Sequence, residues 1–265
     1  MNLKLKTYDN YELYCQYDEA SDARGVLVFS HGFVEYGAHY NGFAKYAASV
    51  GYSVFRYDER AHGRTTAPLG DLKAFQDYTS DLDVCVSWVK ERTDLPIFTV
   101  GFSLGGMITL LYGLMYPYSV EGQVIMGSLS KPQIQFESIN SQSITIHEFL
   151  EFMGTSGDKG IQQLVAMDSP YVLKNASLSF IKEAMIEGPR FIQEHLDMYK
   201  YPILVIHGRK DPIVPVRHSE YIYEKLGSDN KKLLIYEDGY HDLLRIKEYK
   251  KTVDDIISWC DEIID

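Results

Sequence analysis

Hydrophobic residues along the chain fall into short continuous runs, separated by stretches in which apolar residues recur with helical spacing. The runs are rich in β-branched residues, which is typical of strands buried on both faces of a parallel sheet. They cover residues 26–30, 53–57, 97–101, 124–126, 203–207 and 233–236. Leu3 and Leu5 alternate with lysines near the start of the chain and predict an additional strand at the edge of the sheet.

Helical spacing is clear between most of these runs. Residues 40–50 form one such stretch and stop at Gly51, a residue that favours helix C-termini, and residues 78–90 form another before Pro96. Strands that alternate with helices predict right-handed crossovers. The fold class we expect is therefore α/β, with a mostly parallel central sheet flanked by helices.

One long segment interrupts this alternation. Residues 128–200 contain no strand-like run of similar quality, whereas helical patterns recur at 144–153, 161–167 and 178–185. We predict a core made of residues 1–127 and 201–265, with residues 128–200 inserted as a helical cap over the carboxyl edge of the sheet, where open α/β sheets bind ligands. The alternative is that these helices are ordinary crossover helices.

Composition narrows the class of partner. The 265 residues include 26 Lys and Arg against 37 Asp and Glu, a net charge of −11, which disfavours nucleic acid as a partner. Cys15, Cys85 and Cys260 lie far apart and are expected to be free thiols. We see no secretory signal and no apolar run long enough to span a bilayer. The expected location is the cytoplasm, without stable membrane insertion and with room for transient contact between the cap and a lipid interface; the oligomeric state is not predicted.

A candidate nucleophile lies in the segment Gly101-Phe102-Ser103-Leu104-Gly105, which has the pattern G-x-S-x-G between a predicted strand and an apolar helix. A strand-to-helix turn this tight brings neighbouring chains very close, so Gly101 and Gly105 must lack side chains. The turn presents the Ser103 hydroxyl at the edge of the sheet. The free N–H of Leu104, at the start of the helix, is then able to stabilise a negatively charged oxygen.

A serine hydroxyl needs a base, and in this arrangement the base follows the serine and the acid in the chain. Only His207, His218 and His241 follow both Ser103 and the predicted cap. His207 ends a predicted strand, where a structural role is the simpler interpretation, and His218 lies at a predicted helix start. His241 follows the last predicted strand, at the same edge of the sheet as the serine, and is the best candidate.

The carboxylate that orients the base is best supplied by Asp211. It follows the preceding strand, 30 positions before His241, so the two side chains are able to meet across neighbouring strand ends. Asp211 also has the alternative role of a turn residue before Pro212. Asp238 and Asp242 remain alternatives as the acid, although both are very close to the histidine in sequence.

A second donor for a negatively charged oxygen is expected in the loop after residues 26–30. Gly32 allows the backbone to approach the serine turn, so the N–H of Phe33 is the natural partner of the N–H of Leu104. Glu35 in the same loop is better explained by an ion pair that fixes the loop than by general-acid catalysis.

Neither a metal nor a cofactor is expected. His31 and His39 lack a regularly spaced third ligand, His62 lies in a predicted turn, and no G-x-G-x-x-G or Walker sequence occurs.

Several of these segments resemble the α/β-hydrolase superfamily, and more narrowly its monoacylglycerol lipase and lysophospholipase-like group, which borders the proline-iminopeptidase-type serine hydrolases. Residues 31–40 are similar to the group's H-G-x-x-E-H-x-x-R-Y segment, and residues 57–65 resemble Y-D-x-R-G-H-G-x-S. The serine turn and the segments around Asp211 and His241 complete the resemblance. It implies an α/β-hydrolase fold and a catalytic triad of Ser103, Asp211 and His241.

Three positions depart from the group's pattern. His39 stands where the group usually has Arg, Ala61 replaces a Gly and Thr65 replaces a Ser. None belongs to the implied triad, but these loops line the entrance and brace the site, so the departures leave the subfamily open.

The function we expect is hydrolysis of small-molecule carboxylic esters through an acyl-enzyme. Apolar residues in the cap suit an acyl chain, although any cap needs such residues to pack on the core. They are Ile134, Phe136, Ile139, Ile144, Ile146, Phe149, Phe152 and Met153. Two alternatives remain: a ligand receptor without catalysis, and an aminopeptidase of the proline-iminopeptidase type. An aminopeptidase needs an acidic subsite for the substrate amine, for which the cap offers Glu137, Glu148, Glu151 and Glu183.

Overall fold

A computed structural model describes residues 1–155, 166–167 and 169–265. Its strands, in chain order, are β1 (Asn2–Lys6), β2 (Glu12–Asp18), β3 (Gly25–Ser30), β4 (Tyr52–Tyr57), β5 (Ile97–Phe102), β6 (Gly122–Met126), β7 (Ser143–Thr145), β8 (Asn175–Ser177), β9 (Ile203–Gly208) and β10 (Lys231–Tyr236). The α-helices are α1 (Asn41–Ser49), α2 (Gln76–Lys90), α3 (Leu104–Met115), α4 (Ile146–Phe152), α5 (Leu178–Ile181), α6 (Gly188–His195), α7 (Arg217–Lys225) and α8 (Tyr249–Ile264).

Eight of the strands form one sheet in the order β1-β2-β4-β3-β5-β6-β9-β10. The pairs β1–β2 and β2–β4 are antiparallel, and all other neighbours are parallel. The mostly parallel sheet predicted from the sequence is therefore confirmed, as is the edge strand at the start of the chain. Strand β2 was not predicted, because its apolar positions alternate with polar ones instead of forming a continuous run.

Two apolar clusters cover the two faces of the sheet, because side chains alternate between faces along each strand. Val26 and Val28 of β3 pack on the side of α2 and α3, whereas Leu27 and Phe29 pack on the side of α1 and α8. All four side chains are fully buried. The parallel strands run in one direction between these layers, so the loops that follow them meet at a single edge.

The described part of the segment between β6 and β9 contains several helices. It contains α4, whose N-terminus is closed by a capping box between Thr145 and Glu148, and the continuous helical stretch formed by α5, a π-helix (Lys182–Glu187) and α6. The segment also contains β7 and β8, which pair as a small antiparallel sheet and which the sequence did not indicate. Each has only three residues, too few for a recognisable hydrophobic pattern. The helix predicted at 161–167 lies largely outside the described residues.

None of the helices in the described ranges is both long enough and apolar enough to traverse a bilayer.

Candidate active site

Ser103 occupies a strained turn between β5 and α3. Its backbone has φ 54° and ψ −112°, and residues other than glycine rarely adopt a positive φ of this size. A Cβ at Gly101 would lie 2.0 Å from the carbonyl oxygen of Gly105, and a Cβ at Gly105 would lie 2.2 Å from that of Ser30. Both glycines are therefore required by backbone packing, as the sequence pattern predicts.

The three side chains proposed from the sequence as a triad lie together. His241 Nε2 is 3.1 Å from Ser103 Oγ, and His241 Nδ1 is 2.6 Å from Asp211 Oδ2. Asp211 and His241 belong to the loops after β9 and β10, which are adjacent parallel strands. This geometry gives the serine a hydrogen-bonded base and gives the base an orienting carboxylate.

The alternative acids and bases lie elsewhere. Asp238 has a side chain that is 94% exposed and pairs with Lys210 at 2.6 Å, whereas Asp242 pairs with Arg245 at 2.8 Å. His218 is bonded through Nδ1 to the backbone N–H and the hydroxyl of Ser130. None of these three side chains is in hydrogen-bond contact with Ser103 or His241 among the described residues.

His207 contributes to the site in a way that the sequence did not indicate. Its Nε2 lies 3.0 Å from Asp211 Oδ2 and 2.7 Å from the carbonyl oxygen of Val214. Both neighbours are acceptors, so the ring proton belongs on Nε2, and Nδ1 accepts a hydrogen bond of 2.6 Å from the Ser219 hydroxyl. The only sequence signal is a histidine four residues before the acid. His207 is thus structural, as expected, but the group that it holds is the carboxylate of the site.

Asp211 receives donors on both oxygens. Its Oδ1 accepts the backbone N–H groups of Ile213 and Val214, at 2.8 and 2.9 Å. Burial alone raises the pKa of Asp211, but the charge of His241 and the hydrogen bonds from both histidines outweigh it and hold the pKa well below its ordinary value. Asp211 is therefore ionised at neutral pH.

The pKa of His241 is shifted the other way. Burial lowers it, but the charge and hydrogen bond of Asp211 outweigh that effect, and the net pKa is raised above 6.5. A raised pKa makes the ring a stronger proton acceptor.

Two backbone N–H groups are available beside the serine. Among the described residues, neither Phe33 nor Leu104 donates its backbone N–H to a hydrogen bond. The N–H of Gly105 donates to the carbonyl oxygen of His31 at 2.9 Å, which ties the loop after β3 to the serine turn. This is the arrangement expected of a site for a negatively charged oxygen.

Glu35 forms the ion pair predicted for it. Its Oε1 lies 2.5 Å from Nη2 of Arg245, and its Oε2 accepts the N–H of Gly32 at 3.2 Å and the hydroxyl of Tyr40. Burial raises the pKa of the carboxyl, and Arg245 opposes that shift. Arg245, four residues after His241, was not singled out in the sequence.

A pocket of about 610 Å³ opens onto Ser103 and His241. Its wall is mostly apolar and takes residues both from the sheet edge and from the segment between β6 and β9. The apolar wall residues are Phe33, Val34, Phe102, Leu104, Met107, Leu129, Phe149, Leu150, Met153, Met167, Ala184, Met185, Ile213, Val214, Tyr240 and Ile246.

The four glutamates considered for an amine subsite do not line this pocket. Glu137 pairs with Arg190, Glu148 closes the N-terminus of α4, and Glu151 pairs with His147. Glu183 accepts the backbone N–H of Phe75. Among the described residues, the acidic ones that line the pocket are Glu35 and Asp242, and both are paired with Arg245.

Comparison with known proteins gives a consistent picture. A family model described as serine aminopeptidase, S33 matches residues 21–248. A monoacylglycerol lipase of Mycolicibacterium smegmatis is 26% identical over 250 residues, covering 90% of this chain and 89% of the relative. Phospholipase YtpA of Bacillus subtilis is 25% identical over 242 residues, covering 84% and 90%.

Among solved structures, a soluble variant of monoglyceride lipase from Saccharomyces cerevisiae, in complex with a substrate analogue, superimposes with a TM-score of 0.81 at 20% identity. The match covers 99% of this chain and 94% of the yeast chain. The predicted α/β-hydrolase fold is confirmed by this likeness and by the observed sheet.

Proposed function

We propose that this chain, which belongs to the serine aminopeptidase S33 family of α/β-hydrolases, is a serine carboxylic ester hydrolase. The proposed substrates are apolar acyl esters of the monoacylglycerol or lysophospholipid type. The observation that carries the proposal is the hydrogen-bonded series Ser103, His241 and Asp211, of which Ser103 and His241 line an apolar pocket. Relatives named as a monoacylglycerol lipase and a phospholipase support the substrate class.

In the proposed mechanism, Ser103 Oγ attacks the ester carbonyl carbon while His241 Nε2 takes its proton. The N–H groups of Phe33 and Leu104 stabilise the negatively charged oxygen of the tetrahedral intermediate. The imidazolium, held by Asp211, then delivers the proton to the leaving alcohol, and an acyl-enzyme remains. Water repeats the same two steps, with His241 again as the base, and releases the carboxylic acid.

The lining of the pocket favours an acyl chain over a peptide with a free amine. An aminopeptidase needs an unpaired carboxylate for the substrate ammonium group, and both carboxylates in the described wall are already paired with Arg245. The remaining wall supplies apolar surface, which an acyl chain buries at a gain of about 0.8 kcal/mol per methylene.

We also propose that residues 128–200 act as a cap, since Phe149, Met153 and Met185 from this segment line the pocket that contains Ser103. A working location in the cytoplasm is supported by Cys15 and Cys85, which are free and buried, as a reducing compartment allows.

The test is hydrolysis of p-nitrophenyl esters with two to sixteen acyl carbons and of 1-monoacylglycerols and lysophosphatidylcholine. Wild type is compared with Ser103→Ala and with Ser49→Ala, which removes an exposed hydroxyl on α1. We expect turnover that peaks at long acyl chains, is lost in Ser103→Ala and is unchanged in Ser49→Ala. Undiminished turnover in Ser103→Ala would overturn the mechanism.

The same panel separates the alternatives. Hydrolysis of short esters only would remove the lipid assignment and leave a small-ester pocket. Cleavage of a proline arylamide in preference to esters would establish the aminopeptidase alternative, and stoichiometric ligand binding without turnover would establish a receptor.

A further inference from the structure

Two loops with different proposed roles line the pocket. The loop after β3 carries Phe33, whose N–H is a proposed donor to the substrate oxygen, and the loop after β10 carries the proposed base His241. The side chain of Arg245 joins them, because it contacts Glu35 of the first loop at 2.5 Å and Asp242 of the second at 2.8 Å.

The Glu35 carboxylate is the part of this connection that reaches the oxyanion donors. It is buried, with the residue only 2% exposed, and it accepts the N–H of Gly32 at 3.2 Å. The next peptide N–H in the chain is that of Phe33. That N–H belongs to the following peptide group, whose carbonyl oxygen, on Gly32, accepts the backbone N–H of Glu35 at 3.3 Å. Glu35 therefore contacts both peptide groups that flank the Cα of Gly32, and its position affects where the N–H of Phe33 points.

No other described cation pairs with this carboxylate. His39, in the same loop, has both ring nitrogens buried and without hydrogen-bond partners in the described chain. Burial, reinforced by the charge of Arg245, lowers the pKa of His39 to about 4, so that ring is neutral at physiological pH. The compensating charge for Glu35 thus comes from the loop of the base and not from its own loop.

The second contact of Arg245 fixes its own loop. Asp242, the residue directly after His241, accepts the guanidinium through Oδ2 and the backbone N–H groups of Leu244 and Arg245 through Oδ1. Rotation of the Arg245 side chain away from the pocket would break the ion pair with Glu35 and the ion pair beside the base at once.

We propose that Arg245 is a positioning residue for catalysis, because its two ion pairs hold the oxyanion donor of Phe33 and the base His241 in register with each other. This inference rests on the proposed function, since it assigns Arg245 to the same serine-dependent reaction. It concerns the alignment of groups that act in the transition state; Arg245 lines the pocket but is not one of its apolar wall residues.

The substitution that tests it is Arg245→Met, which keeps an apolar stem of similar length and removes the charge. Complete removal of one oxyanion donor costs an enzyme about 10²- to 10³-fold in kcat, and a displaced donor costs less. We expect kcat on p-nitrophenyl butyrate to fall about 10- to 100-fold, with KM changed less than about threefold. Arg245→Lys, which retains the charge but not the fork that bridges two carboxylates, is expected to be intermediate.

The matched control is Arg209→Met. Arg209 also bridges two carboxylates, Glu220 at 3.0 Å and Glu237 at 3.1 Å, and the change in net charge is the same. None of these residues lines the pocket, so kcat is expected to stay within about twofold of wild type.

Two further measurements distinguish positioning from a general loss of folded protein. Rates are divided by the concentration of sites that react to completion with a fluorophosphonate, in which Ser103 Oγ bonds to phosphorus, fluoride leaves and His241 takes the proton. Affinity for an alkyl boronic acid, whose serine adduct is tetrahedral, is expected to fall in parallel with kcat/KM. Adding Glu35→Gln to Arg245→Met removes the uncompensated buried charge and keeps an acceptor for Gly32, so kcat is expected to recover at least about fivefold.

Arg245→Met with a kcat per site within twofold of Arg209→Met, or a loss that appears only in KM, would overturn the inference. If Arg245→Met does not fold, Arg245→Lys is judged by the same criteria. The rate of fluorophosphonate labelling is measured as well, because it does not require an ester substrate. A wild type that is labelled rapidly but hydrolyses no ester refutes the proposed function, and the labelling rates of the variants still decide the role of Arg245.

Discussion

Replacement of Asp211 by asparagine is the sharpest test of the site, because the structure dictates how the new amide must lie. Two backbone N–H groups point at Oδ1, at 2.8 and 2.9 Å, so the amide oxygen of the asparagine belongs there. The amide nitrogen then takes the place of Oδ2, 2.6 Å from His241 Nδ1. In this orientation the NH₂ group meets one donor, His207 Nε2–H, which keeps the carbonyl oxygen of Val214 as its acceptor at 2.7 Å. The opposite orientation of the amide is worse, since it faces its NH₂ group toward both backbone donors.

This orientation reverses the tautomer of the base. An NH₂ group at the Oδ2 position donates to His241 Nδ1, so the ring proton moves to Nε2, which is 3.1 Å from Ser103 Oγ. In that form Nε2 has no lone pair with which to accept the serine proton. The corresponding change in serine proteases lowers kcat about 10⁴-fold, which is about 5.5 kcal/mol in activation free energy. We expect a loss of about 10³- to 10⁴-fold here.

The assay is p-nitrophenyl butyrate hydrolysis at pH 7.5, expressed per fluorophosphonate-reactive site, with unfolding in urea measured in parallel. Asp238→Asn is the control, because that acid lies in the loop of His241, is exposed and pairs with Lys210; its kcat is expected to stay within about twofold of wild type. A kcat for Asp211→Asn above one tenth of the wild-type value, with the protein folded, would refute the reasoning.

Three further outcomes follow from the site and the turn that supports it. The raised pKa of His241 keeps the ring protonated and inactive to a higher pH, so kcat/KM is expected to rise with pH through a midpoint above 6.5; a profile that is flat from pH 5 to 9 would exclude this histidine as the base. Gly105→Ala is expected to lower the free energy of unfolding in urea by about 3 kcal/mol or more, since its Cβ would lie 2.2 Å from a carbonyl oxygen. Gly42→Ala is the matched control on α1, with its nearest neighbour at 3.7 Å, and equal losses in the two variants would contradict the packing argument. Met153→Trp is expected to narrow the pocket by about two methylenes and to lower the ratio of dodecanoate to butyrate hydrolysis about tenfold; an unchanged ratio would place the acyl chain elsewhere.

Much of the fold was predictable because it depends on local signals. Fully buried parallel strands such as β3 and β9 appear as continuous apolar runs, and the glycines on either side of Ser103 indicate a turn that no other residue type allows. The order of serine, acid and histidine along the chain then places three loops at one edge of the sheet. These features follow from backbone sterics and from burial, which are properties of short segments.

What the sequence could not provide depends on contacts between distant segments. The pairing of β7 with β8 joins two strands of three residues, and neither segment has a pattern of its own. The contact of His207 with Asp211 is set by the conformation of the loop after β9. An ion pair was predicted for Glu35 without its partner, which is Arg245, 210 positions further along the chain. Long polar side chains in loops give no periodic signal, so the sequence pattern does not identify such partners.

Phe33 supplies a proposed oxyanion donor through its backbone N–H and contacts the segment between β6 and β9 through its ring. The ring packs against Phe149 of α4, with centroids 4.6 Å apart, and stacks on Phe180 of α5 at 5.4 Å. The residue whose N–H is proposed to face the substrate oxygen is therefore packed against two rings of this segment, and one of them, Phe149, also lines the pocket. As a consequence, the segment between β6 and β9 cannot be exchanged without affecting the position of Phe33. A chimaera that receives the corresponding segment of a relative, chosen to change chain-length preference, must also supply rings at the positions of Phe149 and Phe180. Without these rings, we expect the chimaera to acquire the new preference but to lose turnover.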